Sequence, residues 1–333
     1  MSILVTGGAG YIGSHTCKAL AQAGLTPVVL DNFSTGHPWA VRWGECITGD
    51  LAERELLVNV LKQYNIQAVL HFAASIEAGE SMQRPHRYFR NNLVNTLNLL
   101  EAMVETGVKT LIFSSTCAIY GNPQWLPLTE NHPQQPVNPY GETKRAIEQA
   151  LYWFSQAYGL HYAALRYFNA AGADLDGELG ECHEPETHLI PRVLFSLLGG
   201  EPVRIFGTDY ETPDGTAVRD FIHVTDLAQA HVQALHYVQE NNSNLVVNLG
   251  TGRGYSVREV ITMAERVTGQ RIPVREAARR AGDAPMLVAD VTLAGECLAW
   301  QPRYSDLATI LQTAWTWHKN TYAKVHHSYR ASL

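Results

Sequence analysis

A chain of 333 residues, 46% hydrophobic and 17% charged, is long enough for one large α/β unit plus a smaller lobe. Its net charge of −7 excludes a nucleic-acid or anionic-membrane partner held by diffuse electrostatics, so an anionic ligand requires a few focused arginines. The five cysteines lack a C-x-x-C pair, no apolar run is long enough to span a bilayer, and Met1-Ser2 passes into Ile3-Leu4-Val5 without a basic leader, so free thiols and a cytoplasmic location are expected.

The first half alternates short aliphatic runs (Ile3-Leu4-Val5, Val28-Val29-Leu30, Ala68 to Phe72, Leu111-Ile112-Phe113, Ala164-Leu165) with segments of helix length. That pattern predicts βαβ units feeding a doubly wound, Rossmann-like parallel sheet. Gly7, Gly10 and Gly13, with Tyr11 and Ile12 between the last two, follow the first strand and open a helix that Gly24 and Pro27 close. In this context backbone N–H groups and the helix N-terminus hold a pyrophosphate. Asp31 ends the second strand, where a carboxylate accepts both ribose hydroxyls and repels a 2′-phosphate, which favours NAD over NADP. Asp50 and the Phe72-Ala73-Ala74 step are placed on the same carboxyl edge, although strand-end punctuation explains them equally well.

Ser114-Ser115-Thr116 follows an apolar run and is expected to emerge beside the nicotinamide, with Thr116 bonding the reacting oxygen. Pro139 suits a helix start, and Tyr140 and Lys144 then lie one turn apart on one face. A free tyrosine, with a pKa of about 10, is a poor base at neutral pH, so the Lys144 ammonium and the positive nicotinamide are expected to depress the phenol pKa. By letters alone a Y-x-x-x-K is a surface aromatic and a solvated lysine; the upstream hydroxyls count against that. Glycine turn and Tyr/Lys pair together imply hydride chemistry on an alcohol.

Beyond Tyr167 the alternation weakens into a loop-rich stretch, which marks a second lobe, and 226–249 resumes a pattern able to return to the first sheet. The expected division is an NAD-binding domain over 1–170 with a returning segment around 220–250, a smaller mixed α/β substrate lobe over 171–325, and a frayed tail over 326–333. His183 and His188 are five apart around Pro185, which rules out a zinc-helix motif, so no metal site is expected.

H-F-A-A (His71 to Ala74), G-E-S (Gly79 to Ser81), F-S-S-T-C-A-I-Y-G (Phe113 to Gly121), R-Y-F-N (Arg166 to Asn169), I-F-G-T-D-Y-x-T-P-D-G-T (Ile205 to Thr216) and V-R-D-F-I-H-V (Val218 to Val224) resemble the UDP-glucose 4-epimerases of the extended short-chain dehydrogenase/reductase superfamily. The resemblance runs from Ile3 to about Trp317. It implies C4 oxidation of a UDP-hexose by tightly held NAD, rotation of the keto-sugar and hydride return, interconverting UDP-galactose and UDP-glucose. By it Tyr140 is the base, Lys144 its partner and Thr116 the residue on the sugar O4. Asn32, Leu51, Asn91, Ser114 and Phe168 join the cofactor contacts, and Asn169, His188, Leu189, Arg204, Ile205, Phe206, Arg219, Arg280 and Asp283 line the nucleotide-sugar site. The arginines of that set supply the cations an anionic ligand needs.

Ile76 and His188 stand where some members carry lysine and asparagine. Leu287 occupies a pocket-wall position where a tyrosine restricts some members to plain hexoses, so acceptance of N-acetylated UDP-sugars is expected. A homodimer through 95–105 and 142–158 is implied, though those apolar stripes also suit packing on the sheet. A 4,6-dehydratase is disfavoured because Cys117-Ala118, not an acid, follows Thr116. A GDP-sugar epimerase-reductase is disfavoured by Asp31 and by Cys117 standing one place late. A non-catalytic NAD-sensing scaffold is disfavoured because both Tyr140 and Lys144 are retained.

Overall fold

The computed structural model describes residues 1–280 and 282–330. The first half runs β1 (Ser2–Thr6), α1 (Tyr11–Gln22), β2 (Thr26–Asp31), β3 (Glu45–Thr48), α2 (Arg54–Gln63), β4 (Ile66–His71), α3 (Ala78–Gln83), α4 (Pro85–Tyr88), a π-helical turn (Phe89–Val94), α5 (Asn95–Thr106), β5 (Thr110–Thr116), α6 (Pro139–Tyr158) and β6 (His161–Tyr167). The second half runs β7 (Asn169–Ala171), α7 (Leu189–Leu197), β8 (Val203–Phe206), β9 (Val218–His223), α8 (Val224–Asn241), β10 (Leu245–Leu249), β11 (Gly254–Ser256), α9 (Val257–Thr268), β12 (Val274–Ala277), β13 (Met286–Leu287), α10 (Thr292–Leu298) and α11 (Leu307–Arg330). The last helix extends into the segment expected as a tail, and residues 331–333 lie outside the described residues.

Seven parallel strands form the main sheet in the order β3-β2-β1-β4-β5-β6-β10. Strand residues alternate between its faces, so Ile3 and Val5 pack with Leu20 of α1 and Leu227 and Leu235 of α8. Leu4 faces the opposite way, toward Leu57 and Leu61 of α2, Leu99 and Met103 of α5 and Ile147 of α6. Helices therefore cover both faces, as expected for a doubly wound sheet. The strand order reverses beside β1 and β4, and the crevice above their carboxyl ends is where ligands bind in such sheets.

β10 joins the sheet beside β6, from a segment far along the chain. Only Phe168 separates β6 from β7, and β7 pairs with β9 of a second sheet, whose other members are β11 and β13. β8 and β12 form a parallel pair, and α7, α9 and α11 close a separate core around Ile190, Leu194, Val260, Ala264, Ile310 and Leu311. Two buried carboxylates staple β9 and α8 in place. Asp220 accepts from Thr251 N–H and Oγ1, Gly252 N–H and Ala289 N–H; Asp226 accepts from Arg303 N–H, Tyr304 N–H and Ser305 Oγ. Among the described residues no helix is long and apolar enough to cross a membrane.

Candidate active site

Gly7 has a left-handed φ of +72°, and a Cβ on it would lie 2.6 Å from Ala73 N. A Cβ on Gly13 would lie 2.3 Å from Gly7 O, so both positions exclude any side chain by the chain's own packing. Gly10 differs, since a Cβ there would meet only Gly7 O, at 3.3 Å, and its outer side is open. It is the N-cap of α1, with no side-chain cap and no acidic residue in the first turn. The helix thus presents uncapped N–H donors and its positive end to an anion, the arrangement a pyrophosphate fits.

The surrounding cofactor candidates gather on the same edge. Asp31 accepts from Ala9 N–H at 2.9 Å and Phe33 N–H at 2.8 Å, which fixes its carboxylate beside the glycine turn. Asn32 donates to Asp50 at 2.6 Å, and the other Asp50 oxygen accepts from Ala52 N–H. Phe72 N–H and Ala73 N–H both donate to Thr6 O, with Ala74 following, which ties the carboxyl ends of β1 and β4 together at the crevice. Tyr11 OH donates to Gly172 O, tying the glycine turn to the second lobe, whereas Ile12 and Leu51 face apolar clusters. Asn91 sits in the π-helical turn and donates to Ser75 Oγ at 3.2 Å. Its neighbour Asn92, missed from the sequence, is the buried one: it bonds Ser75 N–H and C=O and reaches Thr143 Oγ1 on α6.

Thr116 ends β5, and its Oγ1 accepts from Ala118 N–H at 3.1 Å. Asn138 caps α6 by accepting from Gly141 N–H, which sets Tyr140 in the first turn and Lys144 on the same face. Lys144 is buried; its ammonium donates to Ser114 O at 2.7 Å, sits 4.8 Å over the Phe113 ring and 6.0 Å from the Tyr140 ring centroid. The Ser114 hydroxyl pairs with Tyr167 OH.

Within the polypeptide alone, Lys144 does not depress the phenol pKa. Desolvation pushes Tyr140 well above its ordinary value, with Tyr167 adding to the rise and Thr116 opposing it. Desolvation also lowers Lys144 to about 7, against the pull of Glu148. The ammonium is directed at Ser114 O and the Phe113 face, and burial leaves the phenol protonated. Glu148, which the sequence reading missed, lies one further turn along Tyr140 and Lys144, a spacing that could have revealed it. It is paired with Arg166 at 2.6 Å and accepts from Ser115 Oγ, so the floor beneath β5 is a closed polar network.

On the far side of the cleft Phe168 and Leu287 pack in one cluster with Cys117 and Tyr120, and Leu287 is in register with Arg219. Asn169 donates to Asp220 O. Arg219 is partly buried and donates only to Val218 O; among the described residues no carboxylate pairs with it within 4.0 Å. Desolvation lowers its pKa, so an anion placed here would supply the missing partner. Arg280 holds Asp283 at 2.9 Å and lies 4.8 Å over the Phe206 ring. Ile205 points instead into the second-lobe core with Leu189 packed against it, and Arg204 stands exposed beside Glu201 at 3.5 Å.

His188, together with His183, Glu181 and Glu186, forms a cluster that the sequence spacing did not predict. No helix is involved: an irregular loop before α7 brings the four side chains together.

Residues 3–250 match the family described as NAD dependent epimerase/dehydratase. A UDP-glucose 4-epimerase of Rhizobium leguminosarum bv. trifolii is 50% identical over 318 residues, 95% of this chain and 97% of that protein. The crystal structure of UDP-glucose 4-epimerase from Brucella ovis in complex with NAD is 54% identical with a TM-score of 0.93, over 95% of this chain and 97% of the other. The UDP-Glc/GlcNAc 4-epimerase of Campylobacter jejuni is 42% identical with a TM-score of 0.83, over 96% of this chain and 99% of the other.

Proposed function

The chain belongs to the NAD dependent epimerase/dehydratase family, and from that premise we propose that it interconverts UDP-galactose and UDP-glucose by transient oxidation at C4, as a UDP-glucose 4-epimerase. The observation that carries this reading is the meeting of Tyr140, Lys144 and Thr116 at the carboxyl end of β5, in the sheet whose first turn is the open Gly10 cap.

NAD held by the glycine turn and Asp31 would supply the acceptor for the C4 hydride and its return to the opposite face. Tyr140 takes the O4 proton as the hydride leaves and gives it back on return, so protons and electrons balance over the cycle. Thr116 holds O4 at the phenol. The positive charge of the oxidised cofactor would supply what Lys144 alone does not and lower the Tyr140 phenol pKa toward the working range. Gly7, Gly10, Gly13, Tyr11, Ile12, Asp31, Asn32, Asp50, Leu51, Phe72, Ala73, Ala74, Asn91, Ser114 and Phe168 are proposed to surround the dinucleotide. Arg219 and Arg280 neutralise the diphosphate, with Asn169, His188, Leu189, Arg204, Ile205, Phe206 and Asp283 around the nucleotide. Firm anchoring of the diphosphate with few polar groups at the Leu287 wall lets the hexose turn.

The residues around Thr116 favour epimerisation over the rival chemistries. Desolvation pushes the Cys117 thiol up to about 12, so it is no thiolate at neutral pH. The division proposed is NAD held by 1–170 with the 220–250 return, and the nucleotide sugar by 171–325. Leu287 is smaller than a tyrosine at the same wall position, so UDP-N-acetylglucosamine is proposed as a further substrate. The exposed Tyr152, Trp153 and Tyr158 of α6 suit a homodimer, and five free thiols suit the cytoplasm.

The deciding test incubates the purified chain with UDP-galactose and no added cofactor, followed by proton NMR. UDP-glucose forming to equilibrium without net NADH is the expected result; a stable 4-keto-6-deoxy product, or no turnover with NAD added, overturns it. Leu287→Tyr should abolish turnover of UDP-N-acetylgalactosamine while sparing UDP-galactose.

A further inference from the structure

The side chains of Glu181, His183, Glu186 and His188 each direct one ligand atom to a common point, and those four atoms lie within 4.8 Å of one another. Glu181 Oε1 lies 3.3 Å from His183 Nδ1 and 3.0 Å from His188 Nδ1, and His183 Nδ1 lies 3.6 Å from Glu186 Oε2. A tetrahedral ion held at the usual zinc–nitrogen and zinc–oxygen lengths separates its ligand atoms by about 3.3 Å, which these spacings bracket.

Two further observations point to a ligand. His183 Nδ1 and Glu186 Oε2 are buried without a hydrogen-bond partner, and the Glu186 side chain is only 6% exposed. His188 Nδ1 bonds Glu186 Oε1 at 2.9 Å, but the close approach of His183 Nδ1 and Glu186 Oε2 without bonding geometry suits atoms aimed at a third centre. Two imidazoles and two carboxylates are charge-balanced while both rings are protonated, and a divalent cation would bind here by displacing those two protons.

We propose that Glu181, His183, Glu186 and His188 bind one divalent transition-metal ion of the zinc class. Two imidazoles favour such an ion over magnesium or calcium, which take oxygen ligands. Four protein ligands make a closed, structural site and not a catalytic one. Its effect is to fix the 181–188 loop against the glycine turn, since the His183 ring meets Tyr11 edge-on at 6.4 Å between centroids and Glu181 O accepts from Trp317 Nε1. His188 engages the cluster through Nδ1, and its side chain is 40% exposed. The site does not depend on the epimerase reading.

The full-length chain, stripped with a chelator, is titrated with Zn²⁺ alone and with Co²⁺ alone by calorimetry. The expected result is one ion per chain, X-ray absorption with nitrogen and oxygen neighbours only, and at least tenfold weaker binding in His183→Gln and Glu186→Gln, with Cys182→Ser unchanged. Absence of one-to-one binding, sulfur in the coordination shell, or affinity unaffected by both substitutions overturns the proposal. If either variant misfolds by circular dichroism, anomalous density at the zinc edge in crystals of the parent decides: a peak among the four side chains supports the site, and its absence at saturating zinc refutes it.

Discussion

Tyr140 sits where burial opposes the protonation state its chemistry needs. Desolvation stabilises the neutral phenol, so in the chain's own field Tyr140 stays protonated and has no room for the O4 proton unless a nearby positive charge lowers its pKa. Tyr140→Phe should lower kcat by roughly 10²- to 10⁴-fold, the usual weight of one general acid–base group, with the amount of NAD copurifying unchanged. A variant that keeps its rate, measured by NMR on UDP-galactose, would remove Tyr140 from the mechanism. Arg219 tests the other half of the cleft. Among the described residues its guanidinium has no carboxylate partner within 4.0 Å, and hydrogen bonds to charged groups contribute about 1.5–3 kcal/mol, so Arg219→Met should raise KM for UDP-galactose by roughly 10- to 100-fold with little change in kcat. An equal loss in kcat would mean that Arg219 acts on the transition state instead. The triad was legible in the sequence because a four-residue helical spacing and a strand-end hydroxyl are local patterns. The field around the phenol was not, because desolvation depends on Tyr167, Phe113 and Cys117, which come together only through folding.

At the scale of elements, α6 is a positioning device. Asn138 is extended, with φ −148°, and its side chain accepts from Gly141 N–H, so the cap fixes the turn that carries Tyr140. Asn138→Ala should cost about 1 kcal/mol of stability, seen as a lower Tm, and should reduce kcat more than it raises KM. A variant that loses Tm and keeps kcat would show that the cap stabilises without positioning. Element-level legibility followed the same divide between local and distant signals. The strands announced by aliphatic runs stand where expected, whereas β3 escaped notice because Glu45-Cys46-Ile47-Thr48 is an exposed edge with no apolar run. The π-helical turn escaped too, since its geometry is held by Asn92 reaching Ser75 and Thr143 across the fold. V-R-D-F-I-H-V was recognisable as a motif, but the work of its Asp220, stapling β9 to 251–252 and 289, is a matter of tertiary contact.

For the whole molecule, alternation of strand and helix made the doubly wound sheet readable, while the second lobe, assembled from two- to six-residue strands far apart in the chain, was visible only as a break in that rhythm. Folding also buries four histidines in neutral form, which predicts how the molecule responds to acid. Desolvation lowers His71 to about 3 and His15, His223 and His231 to about 4, and none is more than 3% exposed. His15 and His231 each bond a backbone carbonyl one turn back through Nδ1, and each leaves Nε2 buried without a partner, so a second proton there finds no acceptor. The unfolded chain binds these protons near pH 6.5 and the folded chain does not. Stability from the neutral form is therefore complete above about pH 6.5 and is lost as pH falls toward the folded values near 4 and 3. Each group approaches a loss of about 1.4 kcal/mol per pH unit, so the four together remove roughly 4 kcal/mol between pH 6.5 and 5.5, a large part of an ordinary folding free energy. Over pH 7.5 to 5.5 the loss comes to about 5.5 kcal/mol, so a chain of this size should melt roughly 8 °C lower at pH 5.5 than at pH 7.5. His231→Gln should shallow that dependence by about a quarter, because an amide keeps the size and polarity of the ring without titrating. A Tm that holds constant down to pH 4.5 would show that these imidazoles are protonated in the native state and that the interior between α1 and α8 admits charge.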